Sequence, residues 1–124
     1  VKCPKCREGM EIVAFDGIEV DRCTGCKGIW FDSRENERLK SMRGSEIIDS
    51  GDPATGRRNN EIPYVRCPRC TTPMVRMVDP EQPHLWYETC STCGGVYFDA
   101  GEFRDYKSKT LLDVIRDLFA RPRA

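Results

Sequence analysis

The stretch Cys90–Glu102 reads C-S-T-C-G-G-V-Y-F-D-A-G-E: a C-x-x-C pair, glycine beyond it, an aromatic pair, then Asp99 and Glu102 three positions apart. The same phrase stands once earlier, as C-T-G-C-K-G-I-W-F-D-S-R-E over Cys23–Glu35. A C-P-x-C pair precedes each copy, Cys3/Cys6 and Cys67/Cys70. The chain is two copies of one cysteine-built unit. Each copy spans only about 40 residues, below the size at which apolar burial alone usually holds a fold. Such a unit needs a disulfide or a metal as a staple.

Spacing decides for metal. Cys3, Cys6, Cys23 and Cys26 follow C-x2-C-x16-C-x2-C, and Cys67, Cys70, Cys90 and Cys93 follow C-x2-C-x19-C-x2-C. Both match the all-cysteine structural zinc pattern, in which two C-x-x-C turns at the ends of a hairpin complete a tetrahedron. We expect two Zn2+ ions, one per repeat. Four thiolates leave no position for water, which argues against hydrolytic chemistry. Zinc is favoured over iron because no cluster-type cysteine run is present; a rubredoxin-like iron site, which also uses paired cysteines, is the weaker alternative. A thioredoxin-like redox reading lacks its βαβ context. No apolar leader precedes Cys3 and no run approaches the roughly 20 apolar residues of a membrane span. The expectation is therefore a reducing, cytoplasmic setting with thiols free for metal.

Charge excludes little but weakens one class. The 124 residues hold 20 Lys plus Arg and 20 Asp plus Glu. Cut after 42 and after 66, the chain gives three pieces that are each neutral. Two four-thiolate zinc sites would bring the total to about −4. Generic attraction to phosphate backbones is not favoured.

We expect a small metal-stabilised α+β protein: two zinc ribbons, each a β-hairpin with two Cys knuckles and a short helix, then an amphipathic C-terminal helix. The segments are ribbon one over 1–42, a linker over 43–66, ribbon two over 67–108 and the tail helix over 109–124. Asp16-Gly17 between Met10–Phe15 and Ile18–Arg22 is a two-residue hairpin signal. In the second copy the strands 73–78 and 84–89 flank a longer loop with two prolines. Asp32 with Glu35, and Asp99 with Glu102, read as helix caps for helices over 33–42 and 100–108. That explains the carboxylates without catalysis. Gly, Ser, Asp, Asn and Pro punctuate 43–62, so the linker is expected to be mobile unless Ile47 and Ile48 dock. Trp30-Phe31 and Tyr97-Phe98 are expected in the core, with one member of each pair exposed; stacking on nucleobases is the competing use. His84 is expected to be a strand residue.

The residues Cys3-Pro-Lys-Cys6, Met10, Cys23-Thr-Gly-Cys26, Gly28 and Trp30-Phe-Asp32, and their second-copy counterparts through Phe103, resemble the bacterial TFIIB-type zinc-ribbon (transcription factor zinc-finger) family. The likeness covers about 3–40 and 67–106. Copy two departs in having Tyr97 where the family more often has Trp. Copy one carries Arg34 and Asn36 where the family tends to Gly and an apolar residue. The resemblance implies a zinc ribbon with a short following helix and a link to transcription.

Function is expected to be non-enzymatic: no nucleophile–base pair or phosphate loop is visible. The leading expectation is an interaction protein that docks a protein partner, with the transcription machinery as the candidate. Its tail stripe Leu111, Leu112, Ile115, Leu118 and Phe119 falls at helical period and serves as a contact or a self-association face. The alternative is direct nucleic-acid binding, helped by Arg57, Arg58, Arg121 and Arg123. The third is a zinc-dependent chaperone or redox accessory, because C-x-x-C-x-G resembles the zinc-binding segment of DnaJ-type chaperones.

Overall fold

The computed structural model describes residues 1–79 and 82–107. The tail expected over 109–124, including Leu111, Ile115, Leu118, Phe119, Arg121 and Arg123, lies outside the described residues. Copy one folds as β1 (Met10–Phe15), β2 (Ile18–Cys23), β3 (Ile29–Phe31) and α1 (Glu35–Lys40). The connecting segment forms a 3-10 turn, Ser45–Ile48, and α2 (Pro53–Asn59). Copy two repeats the order with β4 (Val75–Asp79), β5 (Gln82–Thr89), β6 (Val96–Phe98) and a helix, α3, at 102–107.

The two copies are not separate beads. Their strands form one six-stranded antiparallel sheet in the order β1-β2-β3-β6-β5-β4. The seam is β3 against β6, with Ile29 opposite Phe98, Trp30 opposite Tyr97 and Phe31 opposite Val96. Alternation along a strand then divides these six residues between two faces. Ile29, Phe31, Val96 and Phe98 enter a core with Leu39, Ile48 and Phe103 under the helices. Trp30 and Tyr97 enter the opposite cluster, among the cysteines. Phe31 and Phe98 meet edge to face at 5.6 Å, and Phe103 stacks on Phe31 at 5.1 Å. All four aromatics of the two pairs are 0% exposed. The expectation that one member of each pair faces solvent is therefore wrong, and none is free to stack on a base. Only a joined sheet provides enough partners to bury both faces of these short strands.

The hairpin turn of copy one has positive φ at both Asp16 and Gly17, 49° and 82°, as a two-residue type I′ turn requires. In copy two, β5 begins at Gln82, so the connection is shorter than the expected 79–83; a register shift between Val78 and Asp79 absorbs the difference. His84 lies within β5.

The linker docks through one of Ile47 and Ile48, the exception the expectation allowed. Ile48 is 2% exposed and joins the core, whereas Ile47 remains 72% exposed. Asp52 caps α2 by accepting from the Ala54 amide at 2.9 Å. Asp49, 2% exposed, accepts from the amides of Gly101 and Arg104 at 2.9 and 3.0 Å. Arg104 returns a hydrogen bond to the Gly51 carbonyl. Polar residues that read as loop punctuation are in fact the caps and ties of packed turns.

Asp49 also takes the role expected of Asp99. The acidic box closes from one side only: Glu35 and Glu102 accept from the amides of Asp32 and Asp99 at 2.9 and 2.8 Å. The Asp carboxylates point elsewhere, as described below. α1 is shorter than the expected 33–42, and its N-cap is Arg34 with φ 70°. The equivalent position in copy two is Gly101, φ 88°. A left-handed backbone suits glycine and strains arginine. Arg34→Gly is expected to raise unfolding stability by about 0.5–1 kcal/mol, since relief of strain exceeds the added chain entropy. Denaturant titration of the zinc-loaded protein checks it; a loss of stability would show that Arg34 holds something its backbone angle does not reveal.

Candidate metal centres

Each repeat brings its own four cysteines together. Within Cys3, Cys6, Cys23 and Cys26, and within Cys67, Cys70, Cys90 and Cys93, all sulfurs lie within 4.8 Å of one another. A tetrahedral zinc with bonds of about 2.3 Å places its sulfurs about 3.8 Å apart. The Cys3–Cys26 and Cys67–Cys93 separations are 3.7 and 3.8 Å. The chain closes each knuckle so that amides face sulfur. Lys5 and Cys6 donate to Cys3, Gly25 and Cys26 to Cys23, Arg69 and Cys70 to Cys67, and Cys93 to Cys90. Such donors favour the thiolate and orient it toward a cation. The two quartets fit two Zn2+ ions, and four thiolates per ion close each shell.

Proton affinities inside a quartet are uneven. The hydrogen bond it shares with Cys26 and its own burial push the Cys3 thiol up to about 12, while the same bond holds Cys26 low. Burial pushes Cys90 up, yet the Cys93 amide and the Thr72 hydroxyl bring it down to about 6. Neighbouring sulfurs thus share protons, and binding a divalent ion requires the quartet to release them.

Each quartet is backed by an aromatic residue of the other repeat. The Tyr97 hydroxyl of copy two reaches Cys3 Sγ at 3.2 Å and Cys26 Sγ at 3.4 Å. Burial, then the charge of those cysteines, pushes Tyr97 well above the usual phenol range, so it remains a neutral O–H donor. Trp30 of copy one crosses in the opposite direction and packs at Gly95, behind the second quartet's knuckle. This crossing explains the glycine of C-x-x-C-x-G. A Cβ at Gly28 would stand 1.9 Å from the Tyr97 oxygen, and one at Gly95 would stand 2.1 Å from the Trp30 ring. Conformational freedom is not what these two glycines supply, since neither has a left-handed φ.

The x of C-P-x-C makes a second crossing. Lys5 pairs with Asp99 at 2.7 Å and Glu88 at 3.2 Å, all three side chains at most 3% exposed. It also donates to the Asn59 carbonyl at the end of α2. Arg69 mirrors it, reaching Asp32 at 2.6 Å and Asp21 at 2.8 Å. Burial pushes Asp99 up to about 6, against the pull of Lys5, and Glu102 up to about 9. With its amide nitrogen turned toward them, Asn60 donates to both carboxylates at 3.1 Å. The Arg69 cluster is half exposed and such pairs contribute about 0–1 kcal/mol. The buried Lys5 cluster carries more consequence. Removing one partner of such a group typically costs about 3–5 kcal/mol, because the other charges remain buried. None of these six residues was assigned a cross-repeat role from sequence. The signal was present: Lys5 and Arg69, Asp21 and Glu88, and Asp32 and Asp99 occupy matching positions in the two copies.

The family model described as "Transcription factor zinc-finger", a TFIIB-type zinc ribbon, matches residues 2–42 and 66–109. The chain belongs to this family, as two tandem copies. Neither the curated proteins nor the solved structures contain a match to the chain. Of the other expected contact residues, Arg57 and Arg58 lie exposed in the last turn of α2.

Tyr97→Phe preserves the ring and removes one O–H. Zinc is expected to transfer to a chromophoric chelator several-fold faster in the variant. Release curves from stopped-flow mixing read this directly. Identical curves for variant and wild type would remove the hydroxyl from the first site's stabilisation.

Proposed function

We propose that this zinc-ribbon protein is a non-catalytic docking module for another protein, within or near the transcription apparatus. The observation that carries the reading is where the repeat's conspicuous side chains are spent. Trp30, Phe31, Tyr97 and Phe98 are buried, and Lys5 and Arg69 are paired with carboxylates. The features that most resemble base-stacking and phosphate-binding equipment therefore join one repeat to the other. Zero formal charge argues in the same direction. Both quartets are closed, so zinc acts as a structural element. No helix among the described residues is long and apolar enough to cross a membrane.

Direct nucleic-acid binding is the second reading, favoured by one observation: Arg57 and Arg58 stand adjacent and exposed on α2. A crosslinked pull-down of the tagged protein from its host, with and without nuclease, separates the two. Protein recovered despite nuclease is the expected outcome, and loss of every partner on nuclease treatment would make nucleic acid the ligand. Ile115→Glu, at the centre of the tail's apolar stripe, is expected to reduce that recovery while zinc content stays at two ions per chain.

A further inference from the structure

The two C-P-x-C knuckles lie side by side and leave a groove of about 490 Å3 between them. Its walls come from both repeats: Lys2, Pro4 and Arg7 from the first, Tyr64, Arg66 and Pro68 from the approach to the second. Three features distinguish it. Lys2, Arg7 and Arg66 are its charged residues and no carboxylate lines it, in a chain whose total formal charge is zero. Lys2 and Arg7 have no ion-pair partner among the described residues, whereas Lys5 and Arg69 nearby are both paired. Tyr64, 92% exposed, is the most exposed of the large hydrophobics among the described residues and lines the groove with Pro4, Pro68 and Pro73.

We infer that this groove binds an acidic, apolar-containing segment of a protein partner. The inference rests on the protein-docking reading above and names the partner's chemistry. Carboxylates would meet the unpaired Lys2 and Arg7, and an apolar side chain would lie against Tyr64 and the prolines. Cys3 and Cys67 also border the groove, and zinc thiolates carry negative charge. Both are 1% exposed and their sulfurs accept hydrogen bonds from knuckle amides, so a ligand meets the cations first. The chain's own tail is a poor occupant, because Lys109, Arg116, Arg121 and Arg123 outnumber Asp113 and Asp117 there. A nucleic acid would also meet the cations, but it would gain little from a proline-lined wall with one aromatic ring.

The test uses the zinc-loaded full chain and fluorescence polarisation with a short labelled peptide of alternating Glu and Leu containing one Phe. A labelled single-stranded oligonucleotide and a basic peptide of the same pattern serve as the other probes. The acidic peptide is expected to bind best. Lys2→Glu combined with Arg7→Glu should weaken it roughly tenfold or more, and Tyr64→Ala several-fold, while Arg57→Glu with Arg58→Glu should leave it unchanged. Zinc content and circular dichroism confirm folding, and Lys2→Gln with Arg7→Gln provides a milder pair should the reversals fold poorly. Equal binding by the groove variants, or stronger binding of the oligonucleotide, overturns the inference. In the host pull-down, a protein still recovered by the groove variants would refute the groove and leave the docking reading standing.

Discussion

The pairing of β3 with β6 is the constraint on which the rest depends. Three residues per strand, I-W-F and V-Y-F, are too few to form an independent sheet, and every one of them is buried. Placed side by side and antiparallel, they supply both cores at once. Their Phe residues go to the helix side, and Trp30 and Tyr97 to the cysteine side. From that seam follow the glycine beside each knuckle, the hydroxyl on Cys3 and Cys26, and the basic residue reaching across from each C-P-x-C. A small zinc ribbon solves its shortage of core by using its copy as the missing half.

The two halves are not equivalent, and the differences fall on one side. Lys5 is buried with Asp99 and Glu88, while Arg69 is 40% exposed beside Asp21 and Asp32. Copy two has Gly101 and Phe103 where copy one has Arg34 and Asn36. Phe103 stacks on Phe31, and the linker's Asp49 caps α3. The connecting segment thus covers copy two and buries the Lys5 side of the seam. Copy one keeps a strained helix start and an open salt bridge. Duplication provided the seam; the linker then made one end of it drier than the other.

Features with local causes were legible in the chain. The cysteine quartets follow from spacing, because a C-x-x-C turn positions its own two sulfurs, and Asp16-Gly17 selects its turn from two φ angles. The seam was not legible, because a three-residue apolar run fits a buried strand or a helix segment equally well. Nor were the partners of Asp32 and Asp99, since a capping box and a long-range ion pair call for the same residue. Ser45–Ile48 and Asp49 looked like loop because Gly and Ser surround them; what orders them is contact with both copies, Ser45 donating to the Leu39 carbonyl and Arg22 to the Ile48 carbonyl, while Asp49 accepts from copy two, far away in sequence.

Zinc, the aromatic crossing and the buried Lys5 cluster each need the others in place. Closing either knuckle positions a residue that reaches into the opposite repeat, so the two sites belong to one cooperative unit. Guanidinium unfolding of the zinc-loaded Trp86→Phe variant tests this most directly, with Trp30 fluorescence and zinc release to a chromophoric chelator followed together. The account predicts a single transition in which both signals change together and both zinc ions leave. Two separated transitions, one ion departing while Trp30 remains in its native environment, would show that the repeats are independent ribbons and contradict it.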